Sequence, residues 1–385
     1  AREAREIEAA YRRAKQQTST LQSKPPTAKK PPELKGHFNR HFNSINRLLP
    51  TPSLLQSSHS PATTTTPPPP IDPDPPTLDE VVSAITRLKN SKASLDIPAE
   101  FLKLALSSDS FAQTITDMLG EIWQTEKIPQ SWSVSRITAL WKKKGSSMDP
   151  ANYRGISVGS AMTKVMVNVI LSKVTAWYDA NIDDCQMGFR PNRGTIDSCF
   201  GLKRIQQITR NRDEIQPCLF VDLSAAFDHV RRDWMFTSIY KRLAADSISA
   251  KPFKILEQLY SHTEAYVDSD DPVSDRFVTT SGVRQGGSES PYLFNLYMDF
   301  VLEEYERRCR DAEIPGFEAV FQIPNNASTR EQRREHRNSG MRRLRWLGYA
   351  DDLVIFAKTI EGLQKATDIL HNTFTEYGLT ISIKK

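Results

Sequence analysis

Two adjacent aspartates, Asp351 and Asp352, stand between the stretch Leu344 to Leu347, apolar but for Arg345, and the apolar run Leu353 to Phe356. Successive side chains of a strand point to opposite faces, so neighbouring carboxylates converge on one site only where the chain turns. Val354, Ile355 and Phe356 read as a buried return strand, which makes Tyr349-Ala350-Asp351-Asp352 the turn of a β-hairpin. Two carboxylates beside that much apolar surface are costly without a counter-charge, and a metal ion supplies one. A surface hairpin carrying two turn-favouring aspartates gives the same pattern, so the tetrad needs a partner elsewhere in the chain.

The partner lies upstream. Cys218 to Val221 is a short apolar run with the profile of a buried strand, and Asp222 falls where that strand gives out. A buried strand ending in a carboxylate again asks for a cation. Set beside the hairpin, Asp222 and Asp351 would grip two ions roughly 3.5–4 Å apart, the arrangement that stabilises attacking and leaving oxygens in phosphoryl transfer. Asp352 would point partly away and support the site. The Leu223 backbone carbonyl would complete the oxygen shell that a hard cation takes.

Four stretches, Cys218 to Asp228, Gly282 to Pro291, Gly348 to Asp352 and Gly378 to Lys385, resemble in order and spacing four consecutive reverse-transcriptase motifs. Lys142-Lys143-Lys144-Gly145 followed by Pro150 to Ser157 is similar to the finger motifs of non-LTR (LINE-type) retrotransposons. Gln186-Met187-Gly188-Phe189-Arg190, with Arg193-Gly194-Thr195 behind it, extends the likeness. The resemblance covers Thr77 to Lys385. It implies an α/β chain with an α+β palm, a right-hand polymerase with fingers and palm. The implied activity is RNA-directed DNA synthesis, in which a DNA primer 3′-hydroxyl is extended with dNTPs on an RNA template. Two Mg²⁺ ions are implied as cofactors, with Mn²⁺ as a substitute. Nicked chromosomal DNA is the implied natural primer, cut by an element-encoded endonuclease elsewhere in the polyprotein.

The resemblance also assigns roles. Phe227, five places after Asp222, matches an aromatic steric gate that excludes a 2′-hydroxyl; read without the motif, it is a core aromatic. Gln285 and Gly286 match a loop contacting the nascent base pair and the nucleotide, ahead of a helix expected from about Pro291 to Arg308. The plain alternative is a strand-to-helix turn. Glu289 departs from the apolar residue commoner near that place. Lys143 and Arg154 match cations that neutralise the triphosphate, Arg through bidentate contacts and Lys as a point charge. Lys385, seven residues past Gly378, matches a lysine that protonates the pyrophosphate leaving group.

The hydrophobic fraction of 38% is low for a fully globular chain of 385 residues, and the deficit is localised. From about Ser19 to Thr77 the chain is rich in Pro, Ser and Thr, with the tracts Thr63 to Thr66 and Pro67 to Pro70. Such composition cannot offset chain entropy, so residues 1–76 are expected to be an N-terminal helix followed by a disordered linker. Residues 77–385 are expected to hold fingers and palm. Within the linker, Gly36 to Phe42 resembles a segment that precedes the polymerase in these elements. Its His37 and His41 are four apart, a spacing that could in principle bind metal on a helix, but with no glutamate between them and no cysteine nearby the pair is not read as a metal site. Apolar residues at helical spacing, Val81, Ile85 and Leu88 and then Phe101, Leu102 and Ala105, predict two helices joined by Lys89 to Pro98.

The formal charge is +5, and the basic residues cluster. Lys142 to Lys144 form one group, and Arg330, Arg333, Arg334, Arg337, Arg342, Arg343 and Arg345 another, in a polar insertion before the hairpin. Both suit a phosphate backbone, and both also fit solvated surface. Four cysteines without a Cys-x-x-Cys pair indicate neither a disulfide framework nor a zinc site. No run is apolar enough for a membrane span, so no membrane partner is expected. The expected localisation is intracellular, as a ribonucleoprotein of nucleus and cytoplasm. The first residue is not methionine and the last is Lys385, where a thumb would ordinarily follow, so the chain reads as a fragment with the thumb absent. The rival readings are a group II intron-type reverse transcriptase and a catalytically inactive RNA-binding retroelement relic.

Overall fold

A computed structural model describes residues 33–47, 68–267, 276–320 and 341–382. The fold is mixed α/β and divides into two compact units. No helix among the described residues is long and apolar enough to cross a membrane.

One unit draws its described residues from 33–47, 68–177 and 232–290. Its centre is a four-stranded sheet of order β2-β1-β4-β5, with β1 at Val134–Trp141, β2 at Tyr153–Val158, β4 at Thr263–Val267 and β5 at Phe277–Thr279. β1 runs antiparallel to β2 and parallel to β4. The expected helix pair is present: α2 (Leu78–Thr86) begins at a Thr77 cap whose hydroxyl accepts the Glu80 N–H at 3.3 Å, while Glu80 returns a bond to the Thr77 N–H at 2.9 Å. Val81, Ala84 and Ile85 face inward, and α3 (Ala99–Ala105) and α4 (Asp109–Thr125) pack against α2.

The expected linker contains an ordered element. Leu34–Arg47 is a helix, α1, in the middle of the Ser19 to Thr77 stretch. Its Leu34 and Phe38 enter a buried cluster with Ile137, Ala139, Tyr153, Ala265 and Val267, and Phe42 stacks on Phe277 with ring centres 5.7 Å apart. The Pro/Ser/Thr bias of the surroundings masked one amphipathic helix whose apolar residues recur every four positions. The His37 and His41 rings lie on this helix with centres 6.4 Å apart. The expected helix at Ala1 to Gln17 lies outside the described residues.

The other unit draws on 178–231 and 291–382. It holds a three-stranded antiparallel sheet of order β3-β9-β8, with β3 at Cys218–Val221, β8 at Trp346–Tyr349 and β9 at Asp352–Phe356. Helix α6 (Thr195–Asn211) packs on β8. β6 (Phe317–Val320) and β7 (Met341–Leu344) form a separate antiparallel pair. Leu353 to Phe356 are buried as the apolar run predicts. The buried strand expected at Cys218 to Val221 is instead an edge strand: only Val221 is buried, and Phe220 is 71% exposed. An edge strand pairs on one side only, and here it leaves apolar side chains in solvent.

Candidate active site

The β8–β9 hairpin turns through two residues. Tyr349 pairs with Asp352 across the hairpin, leaving Ala350 and Asp351 as the turn. Ala350 adopts a φ of +58°, a left-handed conformation that favours glycine at this hairpin position and costs an alanine about 1–2 kcal/mol. Asp351 is half-buried and Asp352, which opens β9, is exposed.

β3 brings the third carboxylate to the same end of the sheet. Val221 stands opposite Leu353, so one further step of the register sets Asp222 across from Asp352. A second short pairing fixes the chain here: the Asp222 carbonyl accepts the Ser382 N–H at 2.8 Å, and the Ser224 N–H donates to the Thr380 carbonyl at 2.9 Å. Backbone groups of successive strand residues point to opposite sides, so the Leu223 carbonyl faces away from residues 380–382, towards the side of β9. Helix α10 (Ile360–Glu376) and the turn at Gly378 deliver residues 379–382 to this position. Lys385 lies outside the described residues.

Past Leu223, the chain folds back through Ala225, also left-handed at φ +48°, and the Asp228 N–H donates to its carbonyl at 2.9 Å. This turn presents Phe227, half-buried, against two rings: it stacks on Phe294 with centres 4.6 Å apart and meets Phe189 edge-on at 6.2 Å. Phe294 comes from helix α9 (Ser290–Asp311), which contains the expected helix with a few residues added at its C-terminal end.

The remaining predicted residues belong to the four-stranded unit. Lys143 sits in the β1–β2 connection with φ +55°, and Arg154 lies near the start of β2; both are exposed. Lys142 bonds the Ala151 carbonyl at 2.9 Å. The Gln285 carbonyl accepts the Ser157 N–H at 2.7 Å, joining its loop to the strand that carries Arg154. Gly286 has φ +114°, and a side chain there would begin 3.0 Å from the Ser157 carbonyl oxygen, so the turn admits glycine alone. Glu289, the departure from the family pattern, is buried and accepts the Tyr260 hydroxyl at 2.9 Å.

Sequence reasoning missed two groups. Arg232 ties down the segment leading to Gln285 through the carbonyls of Thr279 at 2.7 Å, Ser281 at 2.9 Å and Gly282 at 2.8 Å. Burial pushes its guanidinium down to about 10. Gln186, in a stretch noted only as a motif, bonds the backbone of Ala350, 164 residues away. No local pattern carries such a contact.

The arginine cluster is divided. Arg330, Arg333, Arg334 and Arg337 lie outside the described residues, and Arg342 and Arg343 belong to β7. Arg345 is corrected: it is 5% exposed, pairs with Glu306 at 2.6 Å and bonds the Ile314 carbonyl at 3.0 Å, so it serves the interior and not a phosphate backbone.

The family described as reverse transcriptase (RNA-dependent DNA polymerase) matches residues 141–385, more than half of the chain. The chain belongs to the reverse transcriptase family. Its similar relatives come from non-LTR retrotransposons. It is 27% identical over 260 residues to the Pol polyprotein of the type-2 retrotransposable element R2DM of Drosophila melanogaster, covering 67% of this chain and 21% of that one. To the RNA-directed DNA polymerase from mobile element jockey of Drosophila funebris it is 23% identical, covering 58% and 24%. To the Pol polyprotein of the R2 element of Nasonia vitripennis it is 24% identical, covering 72% and 24%. This reverse transcriptase segment thus spans between a fifth and a quarter of these relatives' length. A solved structure, apo telomerase from Candida tropicalis truncated from its C-terminal domain, shares 14% identity at a TM-score of 0.45 over 70% of this chain and 54% of that one, too slight a likeness to carry an inference.

Proposed function

We propose that this chain extends a DNA 3′-hydroxyl on an RNA template, using divalent metal and dNTPs, as the polymerase of a non-LTR retrotransposon. The reading is supported by the strand register, which puts Asp222, at the end of β3, and Asp351 and Asp352, at the β8–β9 turn, at one end of the three-stranded sheet.

The donor set fits a hard cation, because it is all oxygen, with Asp222 and Asp351 half-buried. Among the described residues no group of three or more His, Cys, Asp or Glu side chains is placed to hold a metal ion by itself. Mg²⁺ is commonly bound through one or two carboxylates, with substrate phosphates and water completing its shell. Asp222, Asp351 and the Leu223 carbonyl would hold the metal, with Asp352 in support. When bound, two such ions, with Mn²⁺ able to replace Mg²⁺, supply charge that stabilises the attacking and leaving oxygens.

The chain's own residues do the rest. Phe227, braced by Phe294 and Phe189, closes the space a 2′-hydroxyl would need and so selects deoxynucleotides. Gln285 and Gly286 contact the nucleotide. Lys143 and Arg154 bind its phosphates. The primer 3′-hydroxyl gives its proton to solvent water as its oxygen bonds to the α-phosphorus, the bond to pyrophosphate breaks, and Lys385 protonates that leaving group. The element's endonuclease supplies the nicked DNA primer, and the work proceeds as a ribonucleoprotein in nucleus and cytoplasm.

The test is incorporation of dTTP by the 385-residue chain on poly(A) primed with oligo(dT) in Mg²⁺ or Mn²⁺. Template-dependent DNA product is expected. Its absence with both metals would overturn the proposal.

A further inference from the structure

We infer that Gln186 is the positioning residue of the metal-binding turn, fixing through its carboxamide where Asp351 presents its carboxylate. The inference rests on the reading of Asp351 as a metal ligand.

Gln186 is 1% exposed, and both ends of its carboxamide are hydrogen-bonded. Its Oε1 accepts the Ala350 N–H at 2.8 Å and the Gly188 N–H at 2.9 Å, while its Nε2 donates to the Ala350 carbonyl at 3.1 Å. One side chain therefore holds both the donor and the acceptor of the residue preceding Asp351. Two bonds to one peptide residue fix its orientation as well as its place. Ala350 needs that, because a left-handed alanine persists only where its surroundings over-determine it.

The grip is itself anchored. The Met187 N–H donates to the Gly348 carbonyl and the Gly348 N–H to the Cys185 carbonyl, each at 2.9 Å, so residues 185–187 run as a parallel bridge beside β8. Buried Asn295 donates to the Gly188 carbonyl at 2.7 Å, and Arg190 pairs with Asp179 at 2.7 Å. Gly188 lies so close to the turn that a Cβ on it would stand 2.3 Å from the Ala350 nitrogen. The loop and the turn thus have one mutual arrangement, and Gln186 is its side-chain bond. Groups that orient a metal ligand without touching the metal change affinity by about 10–100-fold when removed.

The test is Mn²⁺ binding, followed by electron paramagnetic resonance on the 385-residue chain without primer or nucleotide. Asp351→Asn identifies the bound Mn²⁺ that belongs to the site. Gln186→Met keeps the length and packing of the side chain and removes the grip; Gln186→Ala removes both. Arg193→Ala is the control, because it breaks the 2.8 Å ion pair with Asp184 in the same region and leaves the Ala350 bonds in place. Both Gln186 variants should weaken the Asp351-dependent Mn²⁺ by about 10–100-fold, measured well below their melting temperatures, and Arg193→Ala should bind as the parent does. Parent-like Mn²⁺ binding by Gln186→Met, or equal weakening by Arg193→Ala, overturns the inference. A parent with no Asp351-dependent Mn²⁺ overturns it together with the ligand assignment. A parent that binds Mn²⁺ but extends no primer defeats only the polymerase reading, and the Gln186 comparison still stands.

Discussion

Replacing Phe38 by alanine tests whether helix α1 is part of the folded unit. The Phe38 ring is 4% exposed and packs with Leu34, Ile137, Ala139, Tyr153, Ala265 and Val267. It also lies against the backbone of β2, since a Cβ added to Gly155 would meet it at 2.9 Å. Backbone cannot swing in to refill the volume, so the cavity term should be felt almost in full. Truncating a buried phenylalanine costs about 3–5 kcal/mol. In a domain of this size each kcal/mol lowers the melting temperature by about 2–4 °C, which predicts a fall of roughly 6–20 °C. The upper end is reached only if α1 stays docked; a helix that detaches limits the loss to its own docking energy. Differential scanning calorimetry reads the shift, and a change under about 1 °C would refute the packing argument. The same variant should raise the KM for dNTP, because Tyr153 of the cluster adjoins Arg154.

Phe227→Val should raise the ratio of ribonucleotide to deoxynucleotide incorporation by about 10–100-fold, the range over which a pocket discriminates small groups; an unchanged ratio removes the gate assignment. Arg154→Ala should raise the dNTP KM by about tenfold, with Arg154→Lys intermediate because the point charge survives without the bidentate fork. Lys173→Met should flatten the pH dependence of stability. Burial pulls the Lys173 ammonium down, but Asp72 and Glu80 more than offset this and hold it above its usual value, while Lys173 holds Asp72 below the usual carboxylate range. The Asp72 contribution is therefore present above about pH 4 and lost as pH falls through its depressed pKa; the Lys173 contribution is lost only as pH rises through its raised one. Melting curves at about pH 3 and pH 7 should differ less in the variant than in the parent.

The backbone frame of the candidate site was legible because it is encoded locally. The hairpin at Tyr349 to Asp352 follows from apolar flanks and a turn tetrad, and Asp222 at the end of β3 follows from the same reasoning. Burial of β3 did not follow, because an apolar run says nothing of whether a strand has a neighbour on both sides. Arg345 joined a basic cluster in sequence and an interior ion pair in space, since a charge count cannot see Glu306. Helix α1 was hidden by its surroundings. Gln186 stood in a recognised motif, but its hold on Ala350 depends on tertiary contact alone.

The most direct measurement compares DNA synthesis on poly(A)/oligo(dT) by the parent, Asp222→Asn and Asp351→Asn under saturating Mg²⁺ and dTTP, with circular dichroism confirming an unchanged fold. Each variant keeps the shape of its side chain and removes a charge that the proposed metal site requires, a loss of several kcal/mol that corresponds to a fall in rate of about 10³-fold or more. The account predicts that fall in both. Either folded variant polymerising at a rate comparable to the parent would contradict it.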